Sequence, residues 1–336
     1  MKERPTIIDV AKHAGVSKTT VSRVIGGDGA RVREATRKHV EAVIARLGYE
    51  HNAVASSLRT ARTNIVMLAI PDITNPFWPD VARGAQDVLD GAGYAVVFAN
   101  SDWDGHREVA FLQTARRSRF DGMLINPIQL TNDQLRSAGL PAVVIGSDED
   151  FPDFDTVGSD SYGAMGLALD HLLSLGHQRI GLIRGERRSR PGHSRLAAYL
   201  DFLREKGIPV DEQCIVAAPF TLAGGNLGMQ QLLDLSQPPS AVLAANDILA
   251  IGALQAAHER GLEVPRDLSI AGIDDIFAAS TTTPSLTTVA KPKYQIGQQA
   301  ARLLLERIQR QAPAEPRRHI FPCALQRRGS TMSPAS

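Results

Sequence analysis

The sequence is poor in cysteine and has no long apolar run, and each absence excludes a class of protein. Its two cysteines, Cys214 and Cys323, lie far apart among 336 residues and match no metal-ligand spacing, so we expect reduced thiols and no metal or other cofactor. No stretch of about 18 apolar residues exists, which predicts no membrane span. The start MKERPTIID lacks the apolar core of an export signal, so we expect a cytoplasmic protein.

Charge is distributed unevenly along the chain, although the net charge is only +1. Residues 1–62 carry 12 Lys and Arg against 6 Asp and Glu, a net charge of +6, and the remainder carries 25 against 30, a net charge of −5. A basic head joined to a mildly acidic body is typical of a polyanion-binding module attached to a unit with another task. A chain of this length predicts about two or three domains.

Residues 6–24, TIIDVAKHAGVSKTTVSRV, have the pattern of two short helices that meet at a tight turn. Thr6 can cap the first helix, and Asp9 completes the spacing of a capping box. Gly15 stands where the helix must end in a left-handed residue, a conformation that costs glycine little. Four residues give the first helix an apolar side: Ile8, Val10, Ala11 and Ala14.

The second helix begins after Ser17, which can cap it, and turns Val21 and Val24 inward. Its outward face carries side-chain types that contact bases and phosphates, namely Lys18, Thr19, Ser22 and Arg23. This is the layout of a helix-turn-helix whose second helix enters a DNA major groove. The alternative is an ordinary helical hairpin in a core, which the exposed polar face disfavours.

Two further segments complete the basic head. A glycine-rich loop at residues 26–31 precedes a third helix over 34–47, which has an apolar face and stops at Gly48. Residues 51–62, HNAVASSLRTAR, can form about two helical turns, but a helix this short needs a partner to form. DNA and a second copy of the segment would provide one, and the alternative is a disordered tether.

These residues closely resemble the DNA-binding head of LacI–GalR transcriptional regulators. The resemblance is carried by IIDVAKHAGVSKTTVSRVI, VREATRKHVEAVIARLGYEHNAVASSLRT and IVMLAIPDITNPFW, and it extends over essentially the whole chain. It implies a nucleoid-associated regulator, by default a repressor, that binds a near-palindromic operator as a homodimer. The DNA-binding residues that it implies are Thr6, Ser17, Lys18, Thr19, Ser22, Arg23, Asn52, Ala55 and Leu58.

The resemblance assigns roles within that set. Lys18 and Thr19 read bases with help from Arg23, and Thr6 and Ser22 hold phosphates.

It also implies that residues 51–62 fold as a hinge helix in the minor groove, where Leu58 wedges between central base pairs. An effector would change the angle between two lobes of the core and so the separation of the hinge segments. Two departures from the family leave the base-reading residues untouched: Gly26 replaces a usual asparagine, and the loop 26–31 is about one residue longer.

The rest of the chain alternates short apolar strands with amphipathic helices, the pattern of parallel α/β sheets. The predicted strands span 65–70, 95–99, 122–125, 142–145, 179–183, 215–217, 241–244 and 269–272. The predicted helices span 79–92, 106–117, 132–137, 161–175, 195–206, 223–233, 247–260 and 295–310. Two such series predict two Rossmann-like lobes with a cleft between them, and the resemblance implies a periplasmic-binding-protein-like core.

These patterns predict the domain organisation. The helix-turn-helix domain spans 1–50, the hinge 51–62, the core 63–328, and a polar, frayed tail 329–336. The resemblance implies three crossings between the lobes, near 146–160, 289–292 and 321–324. One lobe then comprises about 63–158 and 292–321, and the other 159–290 and 322–328. The tail has no apolar heptads of the kind that form a leucine zipper, so we expect a dimer.

Ligands of open α/β sheets bind at the carboxyl ends of the strands, where this sequence places short polar side chains and aromatics. Strand-end position and the family resemblance together give the candidate effector-binding residues Asp72, Asn75, Phe77, Trp78, Ser147, Arg195, Phe220, Asn246, Asp274 and Lys291. The resemblance points to Trp78 as a stacking aromatic. Asp247 and Asp275 are more typical of helix N-caps, and Asp160 is expected to be structural.

Two departures from sugar-responsive relatives bear on the charge of the effector. Lys291 stands where those members usually present glutamine, and Ser147 replaces an aspartate. With Arg187, Arg188 and Arg190 near the expected rim, these changes favour an anionic effector such as a sugar acid or sugar phosphate, because a buried lysine facing a neutral ligand is costly. In the alternative, the arginines are solvated and Lys291 pairs with a cleft aspartate. A nucleobase-type co-repressor is a further alternative.

An enzyme and a secreted sugar-binding protein are the competing classes. The sequence has no G-x-G-x-x-G after the first strand, no G-K-[ST] phosphate loop and no G-x-S-x-G elbow. His171 and His177 have the position of helix-end residues and not of catalytic bases. A secreted binding protein would share the core but lack the basic head. We therefore expect no enzymatic activity.

Overall fold

The computed structural model describes residues 5–25, 32–49, 62–146, 150–185 and 190–334, and for 190–194 it describes the backbone alone. The chain divides into two compact units, Met1–Thr63 and Asn64–Ser336. The loop 26–31 and the hinge segment up to residue 61 lie outside the described residues. So do the predicted site residues Asn52, Ala55, Leu58, Ser147, Arg187 and Arg188 and the side chain of Arg190.

Three helices form the first unit: α1 (Ile7–Ala14), α2 (Lys18–Ile25) and α3 (Glu34–Leu47). The predicted capping box is present, since the Thr6 amide donates to the Asp9 carboxylate at 2.8 Å and the Asp9 amide donates back to the Thr6 hydroxyl. Gly15 ends α1 in the left-handed region, at φ 60°. The caps therefore fix both ends of the first helix.

The core of this unit takes one fully buried valine from each helix, Val10, Val21 and Val40. The prediction that Ile8 faces inward is wrong, because its side chain is 62% exposed. Ile7 packs against the core in its place. The reason is helical periodicity: Ile7 and Val10 are three residues apart and share one face, whereas Ile8 lies on the next.

The second unit is built from alternating strands and helices. Its strands are β1 (Ile65–Ile70), β2 (Ala95–Asn100), β3 (Gly122–Ile125), β4 (Ala142–Ile145), β5 (Asp155–Ser159), β6 (Ile180–Gly185), β7 (Ile215–Ala218), β8 (Ala241–Ala244), β9 (Ser269–Asp274), β10 (Thr287–Ala290), β11 (Arg318–Phe321) and β12 (Ala324–Gln326). Its helices are α4 (Phe77–Gly91), α5 (Gly105–Arg117), α6 (Asn132–Ser137), α7 (Ser161–Ser174), α8 (Arg190–Glu205), α9 (Leu222–Leu233), α10 (Asp247–Glu259) and α11 (Lys293–Ile308).

Two six-stranded sheets define two lobes. The sheet of the N-lobe has the strand order β11-β5-β4-β3-β1-β2, and that of the C-lobe has the order β12-β10-β9-β8-β6-β7. Among the described strands the pairing is parallel, apart from the antiparallel pair of β10 and β12. Central strands such as β3, β4 and β8 are buried throughout, which explains their continuous apolar runs.

The chain passes between the lobes after β5, between β10 and α11, and between β11 and β12. No strand was predicted at any of these three places, yet β5, β10, β11 and β12 are all members of the sheets. The strands β5 and β10 contain threonine and other polar residues, DTVGS and TTVA, and β11 and β12 are short, RHIF and ALQ. All four therefore lack the apolar run by which the other strands were predicted.

Helix α4 begins two residues earlier than predicted. The prediction placed the start at Pro79, but Pro79 lies in the first turn, where its missing N–H is not needed. Phe77 and Trp78 are consequently helical. Helix α4 packs backbone to backbone on α11. Gly84 and Gly297 allow this close approach, since a Cβ on either would overlap a carbonyl oxygen of the facing helix.

The tail is packed, so the prediction that it is frayed is wrong. Ser330 is fully buried, and its hydroxyl donates to the Ile270 carbonyl at 2.6 Å and accepts from the Thr287 amide at 2.8 Å. The Met332 carbonyl accepts a hydrogen bond from His177 Nε2 at 2.9 Å. These bonds fasten residues 328–332 along the C-lobe beside β9 and β10.

Candidate functional site

The outward face of α2 is a polar row. Lys18, Thr19 and Arg23 all have exposed side chains. Ser17 Oγ accepts the amide hydrogen of Thr20 at 3.1 Å, so Ser17 caps α2 as predicted and fixes its amino end. A helix locked into a small core on one side and polar on the other is the geometry of a recognition helix.

The two predicted phosphate contacts, Thr6 and Ser22, lie in different surroundings. Thr6 is exposed, and its hydroxyl donates to Asp9 Oδ2 at 2.7 Å while it caps α1. Ser22 is half-buried on α2. Their contacts with phosphate stay a prediction, as does base reading by Lys18 and Thr19.

In the second unit, six side chains form a row across the cleft between the lobes, joined by contacts except at Asp274 and Arg195, which interact through their charges. We call them the cleft belt: Phe77, Lys291, Asp274, Arg195, Phe220 and Trp103. Phe77 opens α4 and Trp103 follows β2, so both ends of the belt belong to the N-lobe. Its middle comes from the C-lobe, apart from Lys291, which lies in a crossing.

The charged half of the belt is a buried ion pair. Lys291 Nζ lies 3.4 Å from Asp274 Oδ1, and the two side chains are 3% and 5% exposed. Lys291 Nζ is also 3.4 Å from Ser161 Oγ and 5.8 Å from the ring centroid of Phe77. Burial, assisted by the charge of Arg195, lowers the pKa of Lys291. The lysine is thus paired with a cleft aspartate, so it does not need an anionic effector as a partner. The other residues behind that expectation, Ser147 and the arginines of the loop, lie outside the described side chains.

The aromatic half of the belt joins Arg195, Phe220 and Trp103. The guanidinium carbon of Arg195 is 5.7 Å from the centroid of Phe220, and Trp103 stacks on the same ring at 5.2 Å and 23°. Burial lowers the pKa of Arg195, and its Nε has no hydrogen-bond partner among the described residues. A buried donor of this kind can bond a ligand oxygen at little cost in desolvation.

Three predicted residues shape the belt without belonging to it. Asp72 Oδ1 accepts the Thr74 amide at 2.8 Å, and Asn75 Oδ1 accepts the Phe77 amide at 3.1 Å, so both build the turn that presents Phe77. Trp78, expected to stack on a ligand, lies in the N-lobe core with 6% of its surface exposed. It supports Phe77 edge-on at 5.0 Å.

The predicted helix caps are corrected in two places. Asn246, and not Asp247, caps α10 by accepting the Leu249 amide at 3.0 Å. Asp275 is not a cap either, because it has φ 53° and pairs with Arg328 at 2.7 Å. Helix α10 begins at Asp247, so Asn246 stands directly before it, in the position of a cap.

Asp160 is structural, as expected, since it caps α7 by accepting the Gly163 amide at 2.7 Å.

Asp247 is a functional candidate that sequence reasoning treated as a cap. It is fully buried, accepting the Ile276 amide at 2.9 Å and the Thr288 hydroxyl. Burial, with the nearby Asp274 carboxylate, raises the pKa of Asp247 to about 8. The raised pKa favours the neutral form of Asp247 at neutral pH, which limits the negative charge beside Asp274.

Trp103 was missed altogether. The signal was available, because Trp103 follows the second predicted strand at the carboxyl edge of its sheet. The residues predicted to bind a ligand follow other strands, and none of them follows β2.

Two negative findings hold for the part of the chain that the structure describes. No group of three or more metal-ligating side chains is present there. No helix in that part is long and apolar enough to cross a membrane.

Comparison with known proteins agrees with this architecture. A family model described as bacterial regulatory proteins, lacI family, matches residues 6–52, and one described as a periplasmic binding protein-like domain matches 169–331. The HTH-type transcriptional repressor CytR of Escherichia coli strain K12 is 37% identical over 330 residues, which are 97% of this chain and 96% of that protein.

Two solved structures are similar over nearly the whole chain. The lac repressor dimer bound to operator and the anti-inducer ONPF has a TM-score of 0.88 at 28% identity and covers 98% of this chain and all of its own. The complex of the transcriptional regulator CelR with cellobiose has a TM-score of 0.73 at 31% identity over 97% of this chain and all of that one.

The fold and the recognition helix define a DNA-binding regulator with a core of the periplasmic-binding-protein type. The family comparisons make this specific: the chain belongs to the lacI family of bacterial regulatory proteins. It is therefore a transcriptional regulator and not an enzyme, as the sequence resemblance predicted.

Proposed function

We propose that this regulator is a repressor that binds a near-palindromic operator in the cytoplasm as a homodimer and is controlled by a small molecule in its cleft. The proposal rests on two features that occur in the same chain. One is the polar face of α2, and the other is the cleft belt of polar and aromatic groups between the two lobes. The names of the relatives support it, since CytR is a repressor and the lac repressor structure holds a dimer on an operator.

Exposed apolar side chains support the homodimer. Val97 and Phe98 are 40% and 46% exposed on β2, the edge strand of the N-lobe sheet. In the C-lobe, Leu222 and Phe277 are 47% and 83% exposed. A surface with large apolar groups on an open sheet edge is typical of a protein interface.

For the effector we propose a sugar or sugar derivative without a strong negative charge. Since Asp274 balances Lys291 and the raised pKa of Asp247 favours its neutral form, the belt retains about one positive charge, that of Arg195. Arg195 Nε is buried without a hydrogen-bond partner among the described residues, and Asp274 Oδ1, whose contact there is the ion pair with Lys291 at 3.4 Å, accepts no hydrogen bond; both can bond hydroxyl groups. Cellobiose bound to CelR supports the class.

A nucleobase or nucleoside is the second candidate. The near-parallel stack of Trp103 on Phe220 favours it, because flat aromatic rings pair well with such a surface.

The DNA-binding part of the proposal is tested by selecting duplexes from a random pool with the full-length protein and measuring their affinity. We expect a near-palindromic site and a loss on Lys18→Ala. Lys206→Ala, which removes an equal charge from the C-lobe, should bind the selected site like the unmodified protein. Selection of no common site, or equal losses in both variants, would refute sequence reading by α2.

The effector part is tested by thermal shift with ribose, cellobiose, nucleosides, sugar acids and sugar phosphates, because a ligand that binds only the native state raises the midpoint. We expect a hit among neutral sugars or nucleosides that Arg195→Gln abolishes. Arg204→Gln, on the same helix but with a side chain that is 74% exposed, should keep it. Hits confined to the anionic compounds would overturn the proposed class.

A further inference from the structure

The loop after β2 holds Trp103 in an unusual backbone conformation. Asp102 and Trp103 are consecutive non-glycine residues at φ 49° and 63°, in the left-handed region that side chains disfavour. Such strain persists only where surrounding contacts over-determine it, and it marks segments that place a side chain for a task.

Three contacts hold this loop. Arg107 pairs with the Asp102 carboxylate. Asp104 caps α5 by accepting the His106 amide at 2.8 Å. Gln129 reaches the Trp103 carbonyl at 3.5 Å. All of these partners belong to the N-lobe, so the indole is projected from a fixed base.

The indole leaves its own lobe. It packs against the hydrophobic cluster of the C-lobe, where it stacks on Phe220. The C-lobe is built to receive this ring, because Gly185 at the end of β6 leaves room for Phe220, and a Cβ there would overlap the Phe220 ring. An aromatic pair in a stacked geometry adds attraction beyond the apolar area that it buries.

We propose that Trp103 is a latch that closes the cleft: held by the N-lobe and stacked on Phe220 of the C-lobe, it sets the closure of the lobes before any effector enters. It is a positioning residue, and because the indole already covers one face of the Phe220 ring, it decides which part of that ring a ligand can reach. Its consequence for ligand choice rests on the proposed effector cleft, whereas its test needs no ligand.

The first test follows the fluorescence of the full-length protein. The chain has two tryptophans, so Trp78→Phe leaves Trp103 as the only tryptophan whose emission is followed. In that background we expect Phe220→Ala to shift the emission to the red and to raise quenching by acrylamide, and Gly185→Ala to act in the same direction by displacing the ring. Val210→Ala, an exposed apolar truncation that precedes β7, is the matched control and should change neither. Unchanged emission in both cleft variants overturns the latch.

A second measurement covers the case in which Trp78→Phe does not fold. Hydrogen exchange is compared in Trp103→Ala, Trp103→Phe and the unmodified protein. We expect Trp103→Ala to raise exchange in the C-lobe segment around Phe220 as well as in residues 100–107, and Trp103→Phe to restore most of the protection. Faster exchange confined to residues 100–107 would show a local role and refute the latch. Because no effector is present, a failed thermal-shift screen would leave either result intact.

Discussion

At the scale of single residues, Asp155 joins three segments that lie far apart in the sequence. Its carboxylate is fully buried on β5 and accepts hydrogen bonds from Arg307 of α11 at 2.7 and 2.9 Å. Arg317, just before β11, adds a side-chain bond at 2.8 Å and a backbone bond at 2.7 Å. Burial raises the pKa of Asp155, but the bonds from the two arginines outweigh it and hold the pKa at about 2.

We expect Asp155→Asn to destabilise the core by about 3–5 kcal/mol, because it leaves two arginines without their buried partner. The loss is measured by urea unfolding at pH 7. A depressed pKa stabilises the fold above about pH 4 and this stability is lost as pH falls toward 2, so the difference between the two proteins should shrink in that range. Asp201→Asn, which breaks an exposed pair with Arg204, should cost about 1 kcal/mol or less. A similar cost for both variants would contradict this account.

Asp247 should change the stability of the fold with pH in the direction opposite to Asp155. The pKa of Asp247, about 8, lies above the value in an unfolded chain. Its contribution to the free energy of unfolding is therefore full at low pH and is lost as pH rises through 8. Between pH 7 and 9 the unmodified protein should therefore lose roughly 1 kcal/mol that Asp247→Asn retains. Urea unfolding across this range measures the difference. Parallel pH profiles would show that Asp247 is ionised in the fold.

At the scale of elements, the tail behaves as part of the C-lobe. Its hydrogen bonds reach Thr287, Ile270 and His177, which are between 43 and 155 positions earlier in the chain. A polar sequence reveals none of these partners, which is why composition alone predicted fraying.

Ser330→Ala should destabilise the core by about 1–3 kcal/mol, because it leaves the buried Thr287 amide and Ile270 carbonyl without a hydroxyl partner. Ser333→Ala changes an exposed serine three residues on and serves as the control. Both are compared by urea unfolding. Equal midpoints would mean that the tail adds nothing to the stability of the lobe.

Elements with a one-sided or continuous apolar pattern could be predicted from the sequence, and the two-lobed core follows from them. The strands β5, β10, β11 and β12 could not, because they are placed in the sheets by neighbouring strands and not by an apolar run of their own. In the candidate site, too, the sequence predicted some residues but not the contacts that they make. Strand-end position and family resemblance nominated Lys291, Arg195 and Phe220, but the pairing of Lys291 and the reach of Trp103 depend on the other lobe.

At the scale of the whole molecule, the two compact units should be separable. We expect residues 64–336 alone to fold and to keep the thermal shift of whichever effector the screen identifies, while losing all affinity for the selected operator, because the recognition helix is absent. Gel-shift and thermal-shift assays on the shortened chain test both halves. Operator binding by residues 64–336 would contradict the assignment of DNA recognition to α2.

The late position of α11 has a consequence for the order of synthesis. The N-lobe begins at β1 but needs α11 and β11, which emerge from the ribosome after the whole of residues 161–290. The C-lobe sheet can assemble most of its strands first, although its own edge strand β12 is also late. During this interval the face of α4 that receives α11 stands open on the nascent chain. A domain usually folds as it emerges, N-terminal first. Here the lobe that is translated first must wait, and chaperones have an apolar surface to bind until translation is nearly complete.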